Sequence, residues 1–545
     1  MDVKKFALQL SLITFVWTNC VFSGEFISTP PAKFTLDPKN IALHHPVKTD
    51  QLAAQLYFDQ GLTQLYAFDN DTAYWSFLNA SKIDPQMPMA YWGMAIALIP
   101  NLYQMPMPSD INKVAYDAIQ KALDLSTGGS EIEREYIEAL SKRYVNNSDP
   151  ALNTLAYSQQ MEKLHNRYPD DPDAAVLFAV SLLDLQESYW DKEGKPYPGI
   201  LEAVNTLETV MKAHPNHVGA NHYYIHTMDG SPFPEKALRS AERLKTLLPN
   251  AGHLLHMPSH IYLLVGDYHE AALCSEEALA ADREYVNTYG MEGFYPFSYM
   301  THTLYFLTRI YSLEERFREA MWAANQLQQL YLPRSKQMPQ MEYYVVMPLF
   351  VLVHFHEWEK ILKFPAPSEE MPLATLLWHF SRTMAFASMK NSSEASKESQ
   401  LFEVAKKQVF EDPRFQNETA KEMIPILDYL MKAKTAENEG QTDQAIKILQ
   451  QAVNEQDTVS FNESPVYFIS ARQQLGALFL NLGQHKEAER TYREDLEKIP
   501  NTSRSLFGLK ESLKAQSKLY DLFWVDQAFQ QAFKYSDINF TKNNL

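Results

Sequence analysis

The chain has 545 residues, too many for one small domain, and 46% of them are apolar, enough for a large buried core. Glycine is sparse, at 17 residues, while Ala, Leu, Gln, Glu and Lys dominate long stretches, which favours helix. A formal net charge of −18 excludes a surface built for nucleic acid or anionic lipid and leaves one that attracts cations.

Residues 1–23 read as a secretory signal peptide. Met1 to Lys5 is short and basic, Phe6 to Trp17 is an apolar run too short to span a bilayer, and Val21 and Ser23 suit a cleavage site before Gly24. The mature chain is therefore expected to be secreted or periplasmic, without a transmembrane segment. Lipid anchoring at Cys20 is the weaker reading, because Trp17-Thr18-Asn19-Cys20 departs from a lipobox. Cleavage leaves Cys274 alone, so no intramolecular disulfide is expected. Residues 24–50 are expected to form an extended segment, 51–335 a repeat array, 336–440 divergent helical repeats, 441–535 further repeats and 536–545 a frayed tail.

The repeats decide the fold. Residues 54–87 place Gly61, Ala73, Phe77, Ala80 and Pro85 at offsets that recur in 469–502 as Gly476, Gly483, Ala488, Tyr492 and Pro500. Residues 252–285 carry Tyr262, Gly266, Tyr268, Ala271 and Ala278. Residues 218–251 carry Ala237, Ala241 and Pro249, and 301–334 carry Phe317, Ala320 and Pro333. Each unit predicts two antiparallel amphipathic helices that bury their apolar faces only by stacking on neighbours. Insertions near Trp190 to Gly199 and Val286 to Met300 interrupt the period.

This pattern resembles the tetratricopeptide repeat (TPR), which implies an all-α, TPR-type α-solenoid. The resemblance further implies that the second, fifth, ninth, twelfth and thirteenth residues of each unit face the concave side. His222-Tyr223-Tyr224-Ile225-His226 and His253-Leu254-Leu255-His256-Met257-Pro258-Ser259-His260-Ile261-Tyr262 are similar to segments of large secreted TPR-repeat proteins, mostly bacterial. Such relatives tend to carry a further histidine where Tyr305 stands and an acidic residue near Val180.

Of the 16 histidines, nine fall between His214 and His302. His222 and His226 form one i, i+4 pair and His256 and His260 another, so each pair shares one helix face. The second pair follows the first by 34 residues, one repeat. In the TPR register both pairs take the fifth and ninth places. His253 and His302 take second places, Asp229 a twelfth and Tyr305 a fifth. Two such pairs on helices about 8–10 Å apart make a rectangle whose imidazoles can converge on one ion. Imidazole donors suit zinc, copper, iron or nickel. The expected ligands are His222, His226, His256 and His260, with His253, His302, Asp229 and Tyr305 as further ligands or as groups that orient them. A lone helical histidine is ordinarily a satisfied polar residue, and duplication can copy a pair without selection for metal.

Two functions remain open. One is a metal-binding protein outside the cytoplasm, whose ion activates water or oxygen if a position stays open, with the Gly290 and Gly293 loop as a lid. The other is a metal-free scaffold that holds a peptide or protein partner in its groove. His214, His217 and His269 are expected on the surface, and His354 and His356 in packing or on the surface.

Overall fold

The computed structural model describes residues 31, 34–99, 109–145, 149–290, 294–336, 338–415, 418–459, 469–541 and 545. The expected signal segment with Cys20 lies outside them, as does Gly293. Among the described residues there are 24 α-helices and no strand beyond an isolated bridge between Trp190 and Pro196. None of these helices is long and apolar enough to cross a membrane.

Residues 25–326 with 453–545 form one compact unit, and 327–452 belong to a second. The first unit opens with hairpins α1 (Leu52–Tyr66) and α2 (Asn70–Ile83), α3 (Pro88–Ile96) and α4 (Ser109–Leu125), α5 (Glu131–Ser141) and α6 (Pro150–Arg167), and α7 (Pro172–Leu183) and α8 (Ile200–Ala213). Then follow α9 (Val218–Asp229) and α10 (Leu238–Leu247), α11 (Gly252–Val265) and α12 (Tyr268–Tyr289), and α13 (Phe294–Leu313) and α14 (Phe317–Tyr331). The second unit holds α15 (Met347–His354) and α16 (Trp358–Lys363), α17 (Pro372–Ser388) and α18 (Ser392–Glu411), and α19 (Glu418–Asn438) with the start of α20 (Thr442–Thr458). The chain re-enters the first unit with α21 (Ala471–Asn481) and α22 (His485–Lys498), then α23 (Ser503–Ala515) and α24 (Leu519–Ala532).

The recurring small and aromatic residues explain the hairpins. A Cβ on Gly61 would lie 2.7 Å from the Phe77 ring, and one on Gly476 would lie 2.7 Å from the Tyr492 ring. Both glycines take the eighth place of their unit and both aromatics the twenty-fourth. The missing side chain lets the second helix's ring lie against the first helix. Starts are fixed locally: Asp69 caps α2 through the Thr72 amide, Asp171 caps α7, and Asp267 caps α12.

The C-terminal hairpins pack within the first unit. Arg504 donates to both oxygens of Glu315 at 2.8 and 3.0 Å, with both residues buried. Residues 536–541 make contacts back to the array. The Asp537 carboxylate accepts from the backbone amides of Phe317 at 2.7 Å and Arg318 at 3.1 Å, satisfying the start of α14, and Phe540 stacks on Phe507. Sequence patterning cannot reveal such a cap, because its partner lies more than two hundred residues away.

Candidate metal centre

α9 and α11 carry the histidine pairs, and both are buried on all sides. Every residue of α9, and Gly252 to Leu263 of α11, is buried. A helix so enclosed has no wet face, so its polar side chains must find partners inside the protein.

The structure gathers six histidines into two trios. His222, His226 and His253 form the first, and His256, His260 and His302 the second, with one ring nitrogen of each residue within 4.8 Å of the others in its trio. In the first, His222 Nε2 lies 3.0 Å from His253 Nε2 and 3.1 Å from His226 Nε2. In the second, His256 and His260 approach through their Nε2 atoms at 3.0 Å, and the His302 ring stands 4.8 Å from that of His256.

This grouping differs from the expected rectangle of His222, His226, His256 and His260. Each i, i+4 pair is instead joined by the second-place histidine of the next first helix. His253 is the second residue of α11, whereas His302 stands midway along α13. His253 meets His222 on α9, and the His302 ring meets that of His256 on α11. The same triangle is thus repeated one unit on. Tyr305 is buried on α13 beside Phe306 in the chain.

Hydrogen bonds behind the rings fix their protonation. His222 Nδ1 donates to the Tyr66 carbonyl at 2.6 Å, since a carbonyl only accepts. His260 Nδ1 donates to Asp229 Oδ2 at 2.9 Å. A neutral imidazole carries one proton, so Nε2 of both rings presents a lone pair toward its trio. His256 Nδ1 lies 3.3 Å from the hydroxyls of both Ser259 and Ser275, which can accept its proton and leave its Nε2 bare as well. Burial pushes the His253 and His256 imidazoles well below the usual range, and the neighbouring histidines push further, so both rings are neutral at pH 7.

Bare nitrogens at 3.0 Å repel unless a proton or cation lies between them. Tetrahedral coordination with bonds of about 2.0–2.1 Å places nitrogens about 3.3–3.4 Å apart. The observed separations are within a few tenths of an ångström of that spacing. The donor set and its spacing fit a transition metal.

A phenylalanine covers each trio. Phe306 lies one turn after His302 on α13, with its ring 4.4 to 4.7 Å from those of His256, His260 and His302. Phe68 takes the same role on the first trio, 4.5 to 5.4 Å from His222, His226 and His253. Its φ of 59° is left-handed, a strained conformation for a bulky side chain that the surroundings must enforce. Neither phenylalanine stands out in the repeat pattern. The His302/Phe306 spacing of four was a usable signal, but nothing local connects Phe68 to residues 154 and more positions later.

A separate network lies behind the first trio. Asp173 accepts from His45 Nδ1 and the Tyr66 hydroxyl, each at 2.7 Å, and from His217 Nε2 at 3.3 Å. Burial alone pushes the Asp173 carboxyl up, but the bonds from His217 and His45 outweigh it and hold the group far below the usual range. His217 is thus buried, contrary to its expected surface position, because its Nδ1 also caps α9 through the Ala220 amide at 3.2 Å. His214 is exposed as expected, and His269 is partly exposed, stacked on Tyr535. Cys274 is a buried free thiol, pushed up to about 12 by burial.

Residues 429–457, in α19 and α20, match the tetratricopeptide repeat family model. The array is of tetratricopeptide type. No curated protein matches the chain. Among solved structures, a human IFIT1 dimer with m7Gppp-AAAA is similar at a TM-score of 0.34 and 12% identity, over 86% of this chain and 94% of that one. Naa15/Naa10 bound to HypK-THB is similar at 0.23 and 12%, over 90% of each chain. The TPR assignment rests on the repeated hairpins and on the matched segment. In that frame the two trios occupy equivalent places in successive repeats.

Proposed function

We propose that this TPR protein binds two transition-metal ions outside the cytoplasm, one in each histidine trio. The observation that carries this reading is the convergence of imidazole nitrogens, 3.0–3.1 Å apart at their closest, in two buried trios in one repeat register. His222, His226 and His253 would hold one ion, and His256, His260 and His302 the other. Asp229, behind His260, would fix that ring and raise its basicity. Imidazole donors favour zinc, copper, iron or nickel over calcium or magnesium. Three protein ligands leave a fourth tetrahedral position for water or a substrate, the composition of catalytic rather than structural zinc sites. The extracytoplasmic location rests on the basic, then apolar, N-terminal sequence.

The test is X-ray absorption spectroscopy on protein loaded with zinc or copper. A first shell of about three imidazole nitrogens supports the proposal. A shell of water oxygens alone rejects it, and leaves the TPR array as a metal-free scaffold for a peptide or protein.

A further inference from the structure

Ahead of α1, residues 36–48 lie over that helix as an irregular segment with one 3₁₀ turn, Pro38–Asn40, and are held largely through their backbone. The Asp37 amide donates to Gln60 at 2.8 Å, the Ala42 amide to Thr63 at 3.2 Å and the His45 amide to Asp59 at 3.1 Å. Gln55 donates to the His45 carbonyl at 2.9 Å and accepts from the Val47 amide at 3.0 Å. Asp59, Gln60 and Thr63 are all buried. Buried polar side chains cost stability unless they are paired, so this face of α1 is built to hold the segment.

One side chain of the segment reaches further. His45 is buried, and its Nδ1 donates to Asp173 Oδ2 at 2.7 Å. The other carboxylate oxygen accepts from the Tyr66 hydroxyl at 2.7 Å. The Tyr66 ring is wedged against α9, where a Cβ on Gly219, three residues before His222, would stand 2.8 Å from it. The Tyr66 carbonyl belongs to the last turn of α1, where carbonyls lack an amide partner in their own helix. It accepts from His222 Nδ1 at 2.6 Å. Tyr66 thus ties Asp173 to His222, and Asp173 ties Tyr66 to His45. Two residues on, Phe68 covers the same trio. The second trio is supported differently, by the direct bond from His260 to Asp229 on α9.

Partners behind a metal-binding imidazole set its orientation and basicity. We infer that residues 36–48 complete the first metal site and not the second, with His45 as a positioning residue that acts through Asp173 and Tyr66. This rests on the metal reading of the trios. Such coupling is reciprocal: the affinity that the docked segment adds at the first trio returns as tighter docking of the segment when an ion is bound.

The test has two arms, both on the full chain. Competition with a chelating dye measures the zinc affinity of each site in wild type, His45→Leu, His45→Asn and Tyr66→Phe. Leu removes the donor to Asp173, Asn keeps an N–H in its place, and Phe keeps the ring and the carbonyl of residue 66. His45→Leu and Tyr66→Phe are expected to weaken the first site by about tenfold, with His45→Asn near wild type and the second site unchanged throughout. In the other arm, zinc is expected to slow amide hydrogen exchange across residues 34–50 in wild type and to leave it unchanged in His253→Ala, whose first trio is open. Unchanged first-site affinity in both His45→Leu and Tyr66→Phe, equal losses at both sites, or exchange that zinc slows equally in His253→Ala overturns this inference and leaves the metal reading standing. A chain that takes up zinc at neither site overturns that reading and the inference with it.

Discussion

His253 Nε2 stands 3.0 Å from His222 Nε2, on helices that begin 34 residues apart in the chain. His302 repeats this relation toward His256 across the next pair of first helices, with ring centroids 4.8 Å apart. The second-place histidine of one repeat therefore completes the site of the repeat before it.

That division makes the two sites separable. His253→Ala opens only the first trio and His302→Ala only the second. Each variant is expected to lose one bound ion per chain and keep the other, read by metal content after gel filtration. Loss of both ions in either single variant would mean the six histidines act as one site.

Asp229 lies behind the second trio alone. Asp229→Asn removes the carboxylate that holds the His260 proton and is expected to weaken metal affinity there by about 10–100-fold, leaving the first site unchanged. Competition with a chelating dye resolves the two affinities. An equal loss at both sites contradicts the assignment.

The folded protein holds His253 and His256 neutral, while in the unfolded chain they protonate near about 6.5. A depressed histidine pKa makes stability complete above the unfolded value and lost as pH falls below it. The His253 and His256 contribution is thus expected to fade from pH 7 to pH 5, read as a wild-type melting temperature that falls relative to a His253→Phe, His256→Phe variant at the same pH. His45 has the opposite sign. Burial lowers its pKa, the Asp173 bond outweighs that, and its contribution is present at acid pH. A difference from that variant that stays constant between pH 7 and pH 5 speaks against neutral buried trios.

Arg504 and Glu315 tie the C-terminal hairpins to α13 and α14 inside the first unit. Arg504→Met removes the two-bond partner of the buried Glu315 carboxylate, expected to cost about 3–5 kcal/mol in denaturant unfolding. A change below about 1 kcal/mol would show that the pair is dispensable.

Much of this was legible in the sequence. The 34-residue period identified the helix hairpins because each unit repeats the glycine and aromatic places that govern close packing, as Gly61/Phe77 and Gly476/Tyr492 show. It also identified all six histidines of the trios, since place within a repeat specifies the face of a first helix. Their partition was not legible. It depends on which side chains meet between neighbouring helices, which periodicity does not encode. Phe68, Tyr66 and Asp173 were invisible for a different reason: each acts across more than a hundred residues of chain or, for Phe68, through a left-handed backbone that a phenylalanine does not advertise. The burial of His217 was missed because a turn residue ordinarily faces water, and only the fold brings Asp173 to it.

The most direct measurement is metal content per chain, by elemental analysis of full-length protein purified without chelator and then reloaded with zinc or copper. The account predicts two ions per chain in the wild type and none in a His222→Ala, His256→Ala double variant that keeps its helical circular dichroism. Wild-type protein that stays metal-free after reloading, or a double variant that retains both ions, would contradict it.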